Sequence, residues 1–410
     1  MSAAEFLRVP PSPPSPPRRE TLVSGVVAGA ADLDPAAVLT ATVAGATFGY
    51  SVGWVVLATI PVLWSVFAVS SRIGHDSRKG LIELIRERRG RGKAAALASA
   101  IVVVNLAMII GDLIAVSDSI SIITQQPRIF FLAPLAFAVW YMLILGNARK
   151  SMERLGLLAL GLLAYVAAAI LAAPSAKIVA QGIFLPHFQT SSAYMMAVVA
   201  VFGSLLTPDV IVWQTSSKRD VPVGLRKSVQ HESHAGTFVA TMISLSAMVA
   251  AAQLNVTDAS TMTTRTAAEA LHYLGPLGPA FFAIGIIGSG LVALPLLAAS
   301  LSFSIAEAAN WESGLSKRPW EARHFYIVIS GIAVLAVIIA MMGVNVVWLL
   351  YWSQVMAGFL IVPILWSLRS LGNDAKVVSQ ANSRFDNICL GGAIGVSCVA
   401  NVMFLISLLR

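Results

Sequence analysis

Charge is what this chain has least of. Only 12% of its 410 residues are Asp, Glu, Lys or Arg, against 57% hydrophobic. That is too few charges to coat a soluble surface of this size, and a mean hydropathy of +0.79 agrees. A set of soluble domains is excluded, and a bundle of membrane-spanning helices is implied. Cysteine is almost absent too. Cys389 and Cys398 share one apolar stretch, where they read as small packing residues, and a disulfide along a single helix is not expected. No nucleophile-and-base set and no phosphate loop occurs, so the sequence offers neither an enzyme nor a resident cofactor. The glycines of Gly285-Ile286-Ile287-Gly288-Ser289-Gly290 scan loosely as a nucleotide loop but follow no strand. Close helix packing accounts for them better, as it does for Gly45 and Gly49. Residues 1–21 are Pro-rich without an apolar core, and read as a disordered cytoplasmic tail rather than a signal peptide.

What the chain does have is apolar runs of bilayer length, for which roughly 20 residues suffice. Eleven are expected, at 22–48, 52–71, 94–117, 129–147, 155–173, 193–216, 235–254, 277–306, 324–343, 345–367 and 387–409. A transporter domain would then fill 22–410. Lys and Arg set the sidedness. With the N-terminus in the cytoplasm, only Arg128, Lys177, Arg265 and Arg410 fall outside. The odd span count puts the C-terminus outside. The net charge of +8 is therefore an orientation bias and calls for no nucleic-acid partner. The basic run over 86–93 fits contact with anionic membrane lipid or a solvated cytoplasmic helix equally well.

Two of the runs are interrupted. The first breaks at Asp32-Leu33-Asp34-Pro35, the sixth at Thr207-Pro208-Asp209. Proline lacks the backbone donor and clashes with the preceding turn, so each helix should open there. Lipid tolerates an opened helix only where protein buries it or a wet cavity lies beside it. A carboxylate at that depth costs at least roughly 2.5–3.5 kcal/mol on insertion scales, which marks it as functional. Paired broken helices in matching positions point to the substrate site of a secondary transporter, here an ion carrier.

The candidate ligands follow from the breaks. Asp34 has few structural excuses. Asp32 divides between ligand and helix cap, and Thr207 between ligand and back-bonding to its own helix. The carbonyls of Ala31 and Ser204 are freed at the breaks. Gln354 and Gln214 offer amide oxygens at cavity depth or, as readily, interhelical hydrogen bonds. His231 and His234 stand i, i+3 in an inward loop, more plainly scattered histidines than a metal pair. Asp118 and Glu307, near span ends, are set aside.

The segment Asp34-Pro35-Ala36-Ala37, with Thr40 and Ala44-Gly45-Ala46-Thr47-Phe48-Gly49-Tyr50, resembles the first broken span of the Nramp family of divalent-metal transporters. Gly203-Ser204-Leu205-Leu206-Thr207-Pro208-Asp209 sits where that family has Met-Pro-His, and Trp213-Gln214-Thr215-Ser216 is similar to its Nramp-related branch. Similarity extends over 74–89, Gly285 to Glu307, and Ser353-Gln354-Val355, about residues 22 to 368 in all. The resemblance implies an all-α polytopic LeuT-like fold: inverted repeats of five spans (22–173 and 193–367) with an extra span at 387–409. It also implies alternating access in the plasma (inner) membrane.

The departures from that pattern shape the chemistry. The family's ligand Asn is Ala37 and its thioether Met is Thr207. Losing sulfur while keeping Asp34 moves the site toward hard cations. Room vacated at Ala37 suits a partly hydrated Mg²⁺, which dehydrates reluctantly; Mg²⁺ and Mn²⁺ are the expected substrates. The family's proton-handling His is Asp209, and its third-span acids are Asn105 and Met108, so coupling to protons and uncoupled, potential-driven transport both stay open. Asp112 either joins the ion site or pairs with a base. Asp209 has three open roles: carboxylate behind the ligands, proton acceptor, or helix cap. Two rival functions are an amino-acid or amine carrier of the same fold and a non-transporting ion-binding sensor.

Overall fold

The computed structural model describes residues 33–145, 154–185, 189, 191–217, 226–254, 256, 258–315 and 317–409. Ala31, Asp32 and the expected tail at 1–21 lie outside them. The first break is thus seen from Leu33 onward. α1 (Pro35–Phe48) starts at a proline that presets φ for a first turn, with Asp34 as its N-cap. Its carboxylate oxygen Oδ1 accepts the Ala37 amide at 2.6 Å. At the other end Gly49 has φ 58°, and a Cβ there would meet nothing. Gly49 therefore serves the backbone turn, not the helix packing expected of it. Gly45 does pack: a Cβ on it would collide with the Met248 backbone.

α2 (Gly53–Ser77) is followed by α3 (Leu81–Arg89), a short amphipathic helix burying Leu81, Ile82, Leu84 and Ile85. Part of the basic 86–93 run is thus the outer side of a docked helix. α4 (Arg91–Thr124) is 34 residues long and α5 (Ile129–Ile144) is 16. The fifth segment begins as tighter helix over Gly156–Leu163 and continues as α6 (Ala164–Leu171). It then turns by 118° into α7 (Ala176–Phe184), a helix outside the eleven segments. Pro174 disfavours α geometry at the residue before it, and Ala173 there takes φ 44°.

The sixth segment comprises α8 (Ser192–Leu205) and α9 (Pro208–Ser217). α10 (Arg226–Ala251) takes in His231 and His234, so these positions are helical rather than in a loop. After α11 (Thr264–Ala268) and a kink at Gly275 come α12 (Gly278–Ala309), α13 (Arg323–Ala340), α14 (Val346–Leu371) and α15 (Arg384–Leu408). Among the described residues, eight helices are long and apolar enough to cross a membrane, or nine counting the bent pair; α1 and α5 are shorter apolar helices. Cys389 and Cys398 are free thiols on α15.

Corresponding members of the two five-span sets pack on one another: α1 on α8, α2 on α10, α4 on α12 and α5 on α13. An internal two-fold makes such pairs. Small residues let the backbones close up without a driving force from the lipid. A Cβ on Gly203 would strike the Gln354 carbonyl, one on Gly358 the Val199 carbonyl, and ones on Gly285 and Gly288 the 158–162 segment.

Candidate functional site

α1 and α9 each begin at a proline, and in the sixth span the proline removes a backbone bond. The carbonyl of Ser204 would ordinarily bond the amide four residues on, but that residue is Pro208, which has no N–H. The chain leaves the helix at Leu206, with ψ 59°. It resumes at Pro208, with Thr207 in the gap and Asp209 in the first turn of α9. The Asp209 carboxylate faces the Thr207 hydroxyl and the amides of Asp209 and Val210, and its Oδ1 has no hydrogen-bond partner. Asp34 and Asp209 thus sit at the starts of two half-helices whose amides favour negative charge.

The third acid comes from the side. Asp112, midway along α4, is completely buried, and neither of its oxygens has a hydrogen-bond partner. The Ala36 amide faces it short of hydrogen-bond geometry. Asp112 interacts electrostatically with Asp34 and Asp209, and those two with each other. Asp34 and Asp209 are 8% and 3% exposed. Among the described residues no Lys, Arg or His pairs with any of the three. Burying one unpaired carboxylate is already costly, and mutual repulsion raises the cost of three.

Other candidates divide. Thr207 (6% exposed) and Ser204 (7%) border the second break, though the Ser204 hydroxyl back-bonds to the Val201 carbonyl at 2.9 Å. Gln354 is fully buried with both amide atoms unpartnered, and its backbone carbonyl lies against Gly203 beside the break. Gln214 points elsewhere: its Oε1 accepts from Ser71 of α2 at 3.5 Å. Among the described residues no three His, Cys, Asp or Glu side chains converge tightly enough to cage a metal unaided. Carbonyl, hydroxyl and amide oxygens, or water, would have to complete any coordination sphere.

Sequence reasoning misses a polar stripe on α12. Ser300, Ser304 and Glu307 recur at i, i+4 and i+7, so they share one face. Asn105 donates to the Ser300 hydroxyl at 3.5 Å, and that hydroxyl donates to the Asp209 carbonyl at 3.0 Å. The repeat is visible in the sequence, but Glu307 reads there as a span-end acid. It is in fact buried and 3% exposed. Asp118 is held by Arg128 at 3.4 Å and by the Thr264 hydroxyl at 3.0 Å.

A bundle with an interrupted sixth span, in which corresponding helices of two five-span sets pack in pairs, is an integral membrane protein of the LeuT-like fold. The manganese transporter of Eremococcus coleocola aligns at TM-score 0.73 and 14% identity, over 99% of this chain and 90% of that one. MhsT in complex with L-phenylalanine aligns at 0.63 and 14%, over 96% and 98%. At such identities the likeness speaks for the fold alone. The family model described as "Natural resistance-associated macrophage protein-like", Nramp, matches residues 25–407, and the chain belongs to that family. Curated relatives include the divalent metal cation transporter MntH of Deinococcus radiodurans, 29% identical over 65% of this chain and 64% of the relative, just under two thirds of its length. The MntH of Bacillus subtilis is 23% identical over 93% of this chain and 90% of its own.

Proposed function

We propose that this protein carries a divalent cation, Mg²⁺ or Mn²⁺, into the cell across the plasma membrane by alternating access. The N-terminus is cytoplasmic and the C-terminus outside. Asp34, Asp112 and Thr207 hold the ion, with the carbonyls of Ala31 and Ser204. Asp209 stands behind Thr207, and Gln354 faces the chamber from α14. Gln214, taken up by Ser71, is left out; Asp32, open between ligand and cap, lies outside the described residues.

One observation carries the reading: three buried carboxylates lie within one another's electrostatic reach without a basic partner among the described residues. A doubly charged cation is the simplest neutraliser. A zwitterionic amino acid would bring a fourth carboxylate into the same field, which disfavours the organic-solute alternative. The absence of a tight three-acid cage among the described residues suits an ion that keeps part of its water, as Mg²⁺ tends to. With Asn105 and Met108 where the family has acids, the membrane potential drives transport in this reading, without an obligatory proton.

The test is metal-dependent quenching of a dye sealed inside proteoliposomes. Wild-type protein should pass Mn²⁺, and added Mg²⁺, but not amino acids, should compete. Asp34→Ala should abolish the signal. Retained flux would remove the site assignment, and a flat wild-type trace with intact ion binding would favour a sensor.

A further inference from the structure

Glu307 ends the α12 stripe two residues before the helix stops, and its carboxylate joins three elements. The Ser216 hydroxyl, at the end of α9, donates to Oε1 at 2.6 Å. The amides of Ile82 and Glu83, in the first turn of α3, donate to Oε2 at 3.1 and 3.4 Å. α3 has no side-chain N-cap of its own, because Gly80 occupies that position. Glu307 supplies the missing cap from another helix, where a carboxylate is favoured by the free amides and the dipole. A Cβ on Gly80 would displace that carboxylate, and six residues earlier a Cβ on Gly74 of α2 would hit the Thr215 carbonyl of α9. The far end of α9 is thus gripped from α2, α3 and α12, two turns from Asp209.

We propose that Glu307 is a positioning residue: through Ser216 it clasps the cytoplasmic end of α9 to α3 and keeps the ion chamber closed toward the cytoplasm. It touches no ion. Inward opening requires this end of α9 to leave its seat, and the Ser216–Glu307 bond is the polar contact that departs. The clasp rests on the topology and ion site proposed above.

The experiment uses full-length protein in which Cys389 and Cys398 are replaced by Ser. A reporter thiol, Val212→Cys, is placed on the buried face of α9, where Val212 is 0% exposed. A membrane-impermeant maleimide is applied from the cytoplasmic side of inverted vesicles. Glu307→Gln removes the charge and one acceptor; Ser216→Ala cuts the α9 leg and leaves the α3 cap intact. Each should raise the labelling rate about tenfold, as expected for losing one hydrogen bond to a charged group. Mn²⁺ affinity measured by titration should stay within about twofold, since a positioning residue leaves the ligands in place. Unchanged labelling in Ser216→Ala overturns the proposal, and that variant decides alone if Glu307→Gln does not fold. Labelling does not depend on flux, so a failure of the ion site, read from Asp34→Ala, is distinguishable from a failure of the clasp.

Discussion

At the scale of single residues the proposed ion site departs from softer metal sites at one position above all. Thr207 stands where a thioether would, and its hydroxyl faces the Asp209 carboxylate. Thr207→Met would add a soft donor and remove the hydroxyl from beside that carboxylate. Competition assays against Mn²⁺ uptake should then show Cd²⁺ gaining and Mg²⁺ losing potency relative to wild type; unchanged ranking would detach selectivity from this side chain. Asp112→Asn removes a charge with no hydrogen-bond partner among the described residues. A contact to a charged group is worth about 1.5–3 kcal/mol, so KM for Mn²⁺ should rise about tenfold or more, measured as dye-quench rate against concentration. Asp34 stands out in the sequence because a carboxylate beside a proline in an apolar run can do little except bind or cap, and the structure shows it capping α1. The company of Asp112 does not stand out there, since only packing brings residues 34, 112 and 209 into one field. Glu307 was illegible for a related reason: acids at span ends are common, and its partners at 82, 83 and 216 are remote in sequence.

Helices repeat the same lesson on a longer scale. Each of the eleven apolar segments holds helix among the described residues, because apolar runs in lipid must satisfy their own backbone. The turn after Leu171 was marked by Pro174, but no rule of length or hydropathy sets a bend of 118°. Glycines separate into two kinds that sequence alone merges. Gly203 lies against the Gln354 carbonyl, whereas Gly331 on α13 has open space around it. Gly203→Ala should therefore push α8 from α14, lowering Tm by several degrees, as a loss of about 1–3 kcal/mol from overpacking would. Gly331→Ala should leave Tm unchanged or slightly raised, because Ala is the better helix former. Thermal unfolding in detergent checks both; equal effects would mean that backbone contact at Gly203 is not limiting.

Over the whole molecule the question is what drives the ion. A divalent cation moving inward gains about 4.6 kcal/mol per 100 mV, from about 2.3 per charge. Uptake into proteoliposomes should therefore rise when a potassium diffusion potential makes the interior negative. A pH-sensitive dye sealed in the same vesicles should show no acidification that tracks metal. Acidification in step with uptake would restore a proton to the cycle, with Asp209 the first residue to examine.

The enclosure of the sixth span sets a pace as well as a place. Its 26 residues, Ser192–Ser217, are 83% buried along the most apolar window, against 28% for α15 at the periphery. A segment so wrapped has neighbours on every side, and moving it means repacking them together. Such collective shifts run on microsecond to millisecond or slower scales. Turnover is then paced by protein rearrangement rather than by ion diffusion, and the number of ions passed per second should belong to a gate that must re-form each time, not to an open pore.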